Sequence, residues 1–220
     1  MSLAENLHAI LNNIPKNVKL VAVSKTKPSS DISELYNSGY RIFGENKVQE
    51  LNDKVSLLAK DIEWHMIGHL QRNKVKQVIK PSALIHGVDS LKLLKEINKE
   101  ATKADIKVNC LLQIHIAKEE TKFGFSPEEI KDLLSNDAFA NFNNVEFKGL
   151  MGMATNTPNE IEVGGEFKSL KTLFDHIHKS FTSFNEISMG MSNDYNIAIN
   201  EGSTIIRIGS KIFGSRKYKL

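Results

Sequence analysis

Short runs of apolar residues alternate along the chain with longer stretches in which apolar positions recur every three or four residues. This is the pattern of a parallel β/α fold, in which each buried strand is followed by a helix that packs back onto the sheet. The apolar runs predict eight strands, over 19–24, 40–44, 63–67, 83–86, 108–115, 146–151, 186–189 and 204–208. Helix starts are marked by Ser29-Ser30-Asp31, by Asp89-Ser90 and by Ser126-Pro127-Glu128-Glu129, and Gly39 and Pro81 supply stops. In the stretch after Ser90, Leu91, Leu94 and Ile97 share one face while Lys92, Lys95 and Glu96 occupy the other, as in a surface helix lying on a sheet. Eight such units in 220 residues match the lower size limit of a TIM barrel, whereas open doubly wound sheets usually have fewer strands. No Pro/Gly/Ser-rich linker splits the chain, so a single-domain α/β (β/α)8 barrel over 1–220 is expected. Met-Gly-Met occurs at 151–153 and again at 189–191, both at strand ends, but no fixed-period repeat extends around either copy.

Composition narrows the class further. With 40% apolar and 25% charged residues the chain is ordinary globular protein, which excludes collagenous, disordered and disulfide-stapled classes. A lone cysteine, Cys110, cannot form an internal disulfide, and a cytoplasmic location is expected. The net charge of +3 is spread along the chain, announcing neither a nucleic-acid nor a membrane partner. Residues 1–15 carry Glu5 and His8 without a cationic start and apolar core, so they do not read as a signal peptide, and no apolar run is long enough to span a bilayer.

In a barrel of this kind the chemistry sits at the C-terminal ends of the strands, often with a phosphate site after the last two. Strand one ends Val23-Ser24-Lys25-Thr26-Lys27-Pro28, and alternation puts Lys25 on the side of Val21 and Val23, with Ala22 and Ser24 toward the helices. A lysine above an apolar core has its charged form disfavoured, which suits Schiff-base chemistry; a solvated rim lysine is the plainer reading. Lys27 shares the parity of Lys25, but Pro28 ends the strand there, which favours Lys25. In the last strand Arg207 lies between Ile206 and Ile208 with the parity of Ile205 and Gly209, so it points inward. A buried guanidinium needs an acceptor, either an acidic side chain or an electron-rich ligand atom. Gly209 gives a ligand room, and Ser210 offers a hydroxyl and an amide. Strand seven runs into Met189-Gly190-Met191-Ser192-Asn193-Asp194, which reads equally as a phosphate loop or a plainly capped helix. The combination of phosphate donors after strands seven and eight with an inward arginine and an inward lysine on adjacent strands suits pyridoxal phosphate.

The ordered segments VAVSKTKP, IFGENKVQE, WHMIGHLQRNK, TKFGF, GLMGMAT, ISMGMSND and IRIGSKIFG resemble those of the pyridoxal phosphate homeostasis proteins of the YggS/PROSC type, over 21–214. The resemblance implies a barrel of the alanine racemase N-terminal-domain type that carries the cofactor as an internal aldimine on Lys25. It further implies phosphate binding at Ser192, Gly209 and Ser210, Arg207 facing the pyridine nitrogen, and Asn46 in the same pocket. Ile187 stands where leucine is usual and Lys47 where tyrosine is frequent, both away from these contacts.

Two function classes follow. One is a monomeric carrier that holds pyridoxal phosphate and passes it to apo enzymes without a substrate of its own; the other is a racemase or decarboxylase. An arginine opposite the ring nitrogen weakens the electron sink, and a racemase needs a second acid/base that related enzymes take from an additional domain, so the carrier is favoured. A phosphate-handling aldolase would use the lysine but leave Arg207 unexplained. His65, His69, His86 and His115 lack defensible metal spacing; His65 either lines the pocket or is a hydrogen-bonded core histidine. Trp64 is expected under the helices, the four Met-Gly-Met methionines in core packing, and 216–219 as a solvated basic tail.

Overall fold

A computed structural model describes residues 2–119, 121–135, 138–181 and 183–214. Eight parallel strands close on themselves in sequence order, β1 (Lys19–Val23), β2 (Ile42–Glu45), β3 (Glu63–Met66), β4 (Ser82–Val88), β5 (Val108–Ile114), β6 (Val145–Gly152), β7 (Glu186–Ser188) and β8 (Ile205–Ile208). Val21 pairs with Arg207 across the β1/β8 closure, which brings the first and last strands side by side. The main helices are α1 (Leu3–Leu11), α2 (Ser29–Asn37), α3 (Val48–Leu57), α4 (Val75–Val78), α5 (Leu91–Lys103), α6 (Pro127–Ser135), α7 (Glu160–His178), α8 (Tyr195–Asn200) and α9 (Ser210–Phe213).

The expected helix starts differ in detail. Ser90 caps α5 by accepting from the Leu93 amide, and Ser126 and Glu129 form reciprocal bonds at the start of α6. At α2, however, Pro28 occupies the cap position and Ser29 and Ser30 enter the first turn, since proline's fixed φ suits the extended conformation there. Strand β4 extends two residues beyond the expected 83–86, to Val88, while β7 is trimmed to three residues. The basic segment 216–219 lies outside the described residues.

Two apolar layers result from the alternation. The larger lies between sheet and helices and includes Ala22, Phe43, Trp64, Ile97 and Phe167, with Trp64 under the helices as its parity requires. Each such aliphatic or aromatic side chain contributes about 1.5–3 kcal/mol on burial. The inner layer is small: Val21, Leu84, Leu111, Met151 and Ile205. Polar side chains occupy positions of the same inward face, and these define the site. Among the described residues no helix is long and apolar enough to cross a membrane.

Candidate functional site

The C-terminal mouth of the barrel opens into a cavity of about 840 Å³. Lys25, Asn46, Ser192, Arg207, Gly209 and Ser210, the six residues selected from the sequence, all line it. Their convergence follows from local structure. Strand β1 ends at Val23; the Ser24 side chain turns outward, its hydroxyl donating to Glu45 Oε1 at 2.6 Å, and Lys25 follows half-buried at the mouth. Asn46 comes immediately after β2, and a Cβ at Gly68 would sit 2.3 Å from the Asn46 carbonyl oxygen, so glycine lets the β3 loop close against it. After β7, Gly190 takes φ +93°, a left-handed turn where any side chain would be strained and would collide with Ala198. That turn delivers Ser192, whose hydroxyl accepts from the Gly209 amide at 3.3 Å and ties the β7 loop to the β8 loop. Asp194 caps α8 without a side-chain bond into the helix; its carboxylate instead accepts from the Met191 amide at 2.5 Å.

Arg207 is 4% exposed and faces inward, as its parity requires. Its Nη1 donates to Ser188 Oγ at 2.6 Å and its Nη2 to the Gly152 carbonyl at 3.2 Å. Among the described residues no ion pair includes it. Burial pushes the guanidinium down to about 10, opposed by Asp194, so it is still charged at neutral pH. A desolvated cation bonded only to neutral oxygens is electrostatically under-satisfied, and it has cavity beside it.

Behind Arg207 runs a chain of polar groups that the sequence did not reveal. Ser188 Oγ lies 3.0 Å from His86 Nδ1, and His86 Nε2 lies 2.9 Å from His65 Nδ1. Burial holds His86 well below its ordinary range, with the charges of His65 and Arg207 adding to the effect, and pushes His65 down to about 4 with help from Lys19. Both imidazoles are therefore neutral at pH 7. Arg207 can only donate, so Ser188 accepts from it and has its own proton for His86 Nδ1, which leaves His86 Nε2–H to donate to His65. Of the two readings of His65, the structure shows the hydrogen-bonded core histidine. Ser188 and His86 are separated by 102 residues, and no local spacing could have joined them.

Lys27 Nζ donates to the Phe213 carbonyl at 2.8 Å, and Lys122 Nζ to the Ala154 carbonyl at 2.6 Å. Met151 lies in the inner core and Met191 lines the cavity. No group of three metal-ligating side chains occurs among the described residues. His69 pairs instead with Asp89 at 2.7 Å and stacks on Phe123.

The donor set fits pyridoxal phosphate: an amine on one side, hydroxyls at Ser192 and Ser210 on another, and a charged donor at depth. Comparison with known proteins agrees. Residues 1–217 match the family described as alanine racemase, N-terminal domain. A pyridoxal phosphate homeostasis protein of Aquifex aeolicus is 39% identical over 99% of this chain and 100% of its own length. One from Helicobacter pylori is 42% identical over 89% of this chain and 87% of its own. Among solved structures, PipY of Synechococcus elongatus with PLP bound is 32% identical, covers 96% of this chain and 100% of its own, and superposes with a TM-score of 0.87. An alanine racemase of Clostridium difficile shares the fold at 16% identity and TM-score 0.77, over 99% of this chain but 57% of the racemase.

Proposed function

The chain belongs to the alanine racemase N-terminal domain family and, within it, to the pyridoxal phosphate homeostasis proteins, and from that premise we propose that its barrel mouth holds pyridoxal phosphate and hands it on to apo enzymes. The observation that carries this reading is the buried, charged Arg207, whose side chain bonds to Ser188 and Gly152 among the described residues and lines the cavity that Lys25 also lines. Bound there, the cofactor supplies an aldehyde that a lysine amine can capture as an imine. Lys25 would be the residue to hold it, the Ser192 and Ser210 hydroxyls and the loop at Gly209 and Ser210 would receive the phosphate, Asn46 would wall the pocket, and Arg207 would donate to the ring nitrogen. Because Arg207 is a donor that keeps its proton, that nitrogen stays an acceptor, which weakens carbanion stabilisation.

Carriage is favoured over turnover by the lining of the cavity. Among the described residues it contains no histidine, tyrosine or cysteine; its carboxylates are Glu160, in the first turn of α7, and Asp194, which accepts from the Met191 amide. A racemase needs two acid/base groups on opposite faces of its substrate, each worth about 10²- to 10⁴-fold. Lys25 supplies one. The single thiol, Cys110, is buried in the barrel wall, which accords with a reducing cytoplasmic setting.

Incubating the loaded protein with each common amino acid, while following chirality and product formation, tests the reading alongside reactivation of an apo pyridoxal enzyme. Recovery of the apo enzyme without appreciable turnover is expected. Rapid, saturable turnover that Lys25→Ala abolishes would replace the carrier with a racemase or decarboxylase.

A further inference from the structure

On the helix side of β1, opposite the cavity, a second buried cluster surrounds the peptide groups on either side of Lys25. Lys54, in α3, donates through Nζ to the Ser24 carbonyl at 2.8 Å, to Glu45 Oε1 at 2.7 Å and to Glu50 Oε1 at 2.7 Å. Glu45 is fully buried, and its Oε1 also accepts from the Ser24 hydroxyl. Glu50 Oε1 accepts in addition from the Thr26 amide at 2.5 Å. The residue before Lys25 is thus held by its carbonyl and hydroxyl, and the residue after it by its amide.

Thr26 adopts φ +65°. A β-branched residue is strained in that left-handed region, and such a conformation persists only where the surroundings impose it. The bond to Glu50 is a contact at Thr26 itself that does so. The Lys27 amide also donates to the Ser24 carbonyl at 3.0 Å and closes the turn, so loss of the Glu50 bond loosens the peptide after Lys25, and with it the direction in which the Lys25 side chain leaves the backbone, while the turn stays closed.

We propose that Glu50 and Lys54, neither of which lines the cavity, are positioning residues for Lys25: they clamp the two flanking peptides from behind and thereby fix the approach of its amine. The inference rests on the assignment of Lys25 as the residue that captures the cofactor. In that capture the amine nitrogen attacks the aldehyde carbon, a C=N bond forms, and the carbonyl oxygen leaves as water after taking up both amine protons. Added borohydride then delivers hydride to the imine carbon and makes the link permanent.

Glu50 is the residue to vary, because it is partly exposed where Glu45 and Lys54 are not. Glu50→Ala removes the acceptor for the Thr26 amide; Glu50→Gln retains a carbonyl oxygen able to accept from both Thr26 and Lys54. Full-length protein freed of cofactor is mixed with pyridoxal phosphate, quenched with borohydride at intervals, and mapped, with visible circular dichroism recorded on the loaded protein and urea unfolding on the free protein. Glu50→Ala is expected to label Lys25 about tenfold more slowly than wild type and to alter the visible dichroism, with Glu50→Gln recovering most of both. A purely structural ion pair would shift the urea midpoint alone. A Glu50→Ala protein with wild-type labelling rate and dichroism overturns the clamp and leaves the cofactor assignment standing. Wild-type labelling away from Lys25 overturns the assignment itself, and the clamp with it.

Discussion

Two buried polar networks flank the first strand, and they are built on opposite principles. The outer one, behind Lys25, is built on ion pairs: the Lys54 ammonium meets two carboxylates and a carbonyl, and the second Glu45 oxygen, Oε2, is buried without a hydrogen-bond partner among the described residues. The inner one, His65–His86–Ser188–Arg207, sets a single charge among neutral imidazoles, a hydroxyl and a carbonyl, and Asp194 acts on that charge without an ion pair among the described residues. A network in which cation and carboxylates meet directly can hold a backbone in place; a buried cation bonded to neutral groups beside a cavity is poised for an electron-rich ligand. On the proposed reading the contrast divides the work of the site, with positioning of the lysine on the helix side and recognition of the ring inside the barrel.

Isosteric removal of the cation breaks the comparison most directly. Lys54→Met leaves the Glu45 carboxylate buried beside apolar neighbours, and a loss of about 3–5 kcal/mol is expected in urea unfolding of the cofactor-free protein. Glu45 is already held above the usual carboxylate range by burial, against the hydrogen bonds from Lys54 and Ser24, so without Lys54 it takes up a proton more readily. A change under 1 kcal/mol would show that Lys54 does not stabilise the buried Glu45 carboxylate.

The histidines give the inner network a pH signature. Both have pKa values depressed in the folded state, so below about 6.5 the unfolded chain binds protons that the folded one refuses, and stability falls with falling pH. The window runs from about pH 6.5 to 4, with a slope of up to about 2.7 kcal/mol per pH unit for two such groups. Between pH 7.5 and 5.5 the histidine contribution amounts to about 2–3 kcal/mol, measurable as a shift in urea midpoint that His86→Asn reduces. A flat profile over that range would mean that both imidazoles take up protons in the fold as readily as in the unfolded chain.

Arg207→Met is the smallest perturbation of the free protein and the most informative about ligand. Removing a desolvated, unpaired cation offsets the two hydrogen bonds lost, so cofactor-free stability is expected to change by no more than about 1 kcal/mol. Affinity for pyridoxal phosphate should nevertheless fall about 10- to 100-fold, the worth of a charge-assisted hydrogen bond. Equal affinity in the variant would make Arg207 a structural residue.

Much of this was legible before any fold was known. Period-two alternation was enough to send Val21 inward, Ala22 and Trp64 outward, and Arg207 to the barrel interior, because a strand buried on both faces leaves no other freedom. The cavity residues follow from the rule that barrel chemistry gathers at strand ends, together with the resemblance of their motifs. What escaped was long-range pairing: His86 meets Ser188 across 102 residues, and neither belongs to a spacing that marks it. The Glu50–Lys54 pair also escaped: the two residues are spaced i,i+4 on α3, but their contacts with Ser24 and Thr26 depend on how α3 settles against β1. Helix starts were displaced where Pro28 took the place of serine, since a cap is decided by backbone conformation as much as by hydroxyl supply.

The central claim is that Lys25 captures the cofactor at the barrel mouth. Saturating the purified protein with pyridoxal phosphate, reducing with borohydride and mapping the labelled peptide tests it in one step. The label is expected on Lys25, at close to one per chain, and to be lost in Lys25→Ala; a label found mainly on Lys27 or Lys122 in the wild type would contradict it.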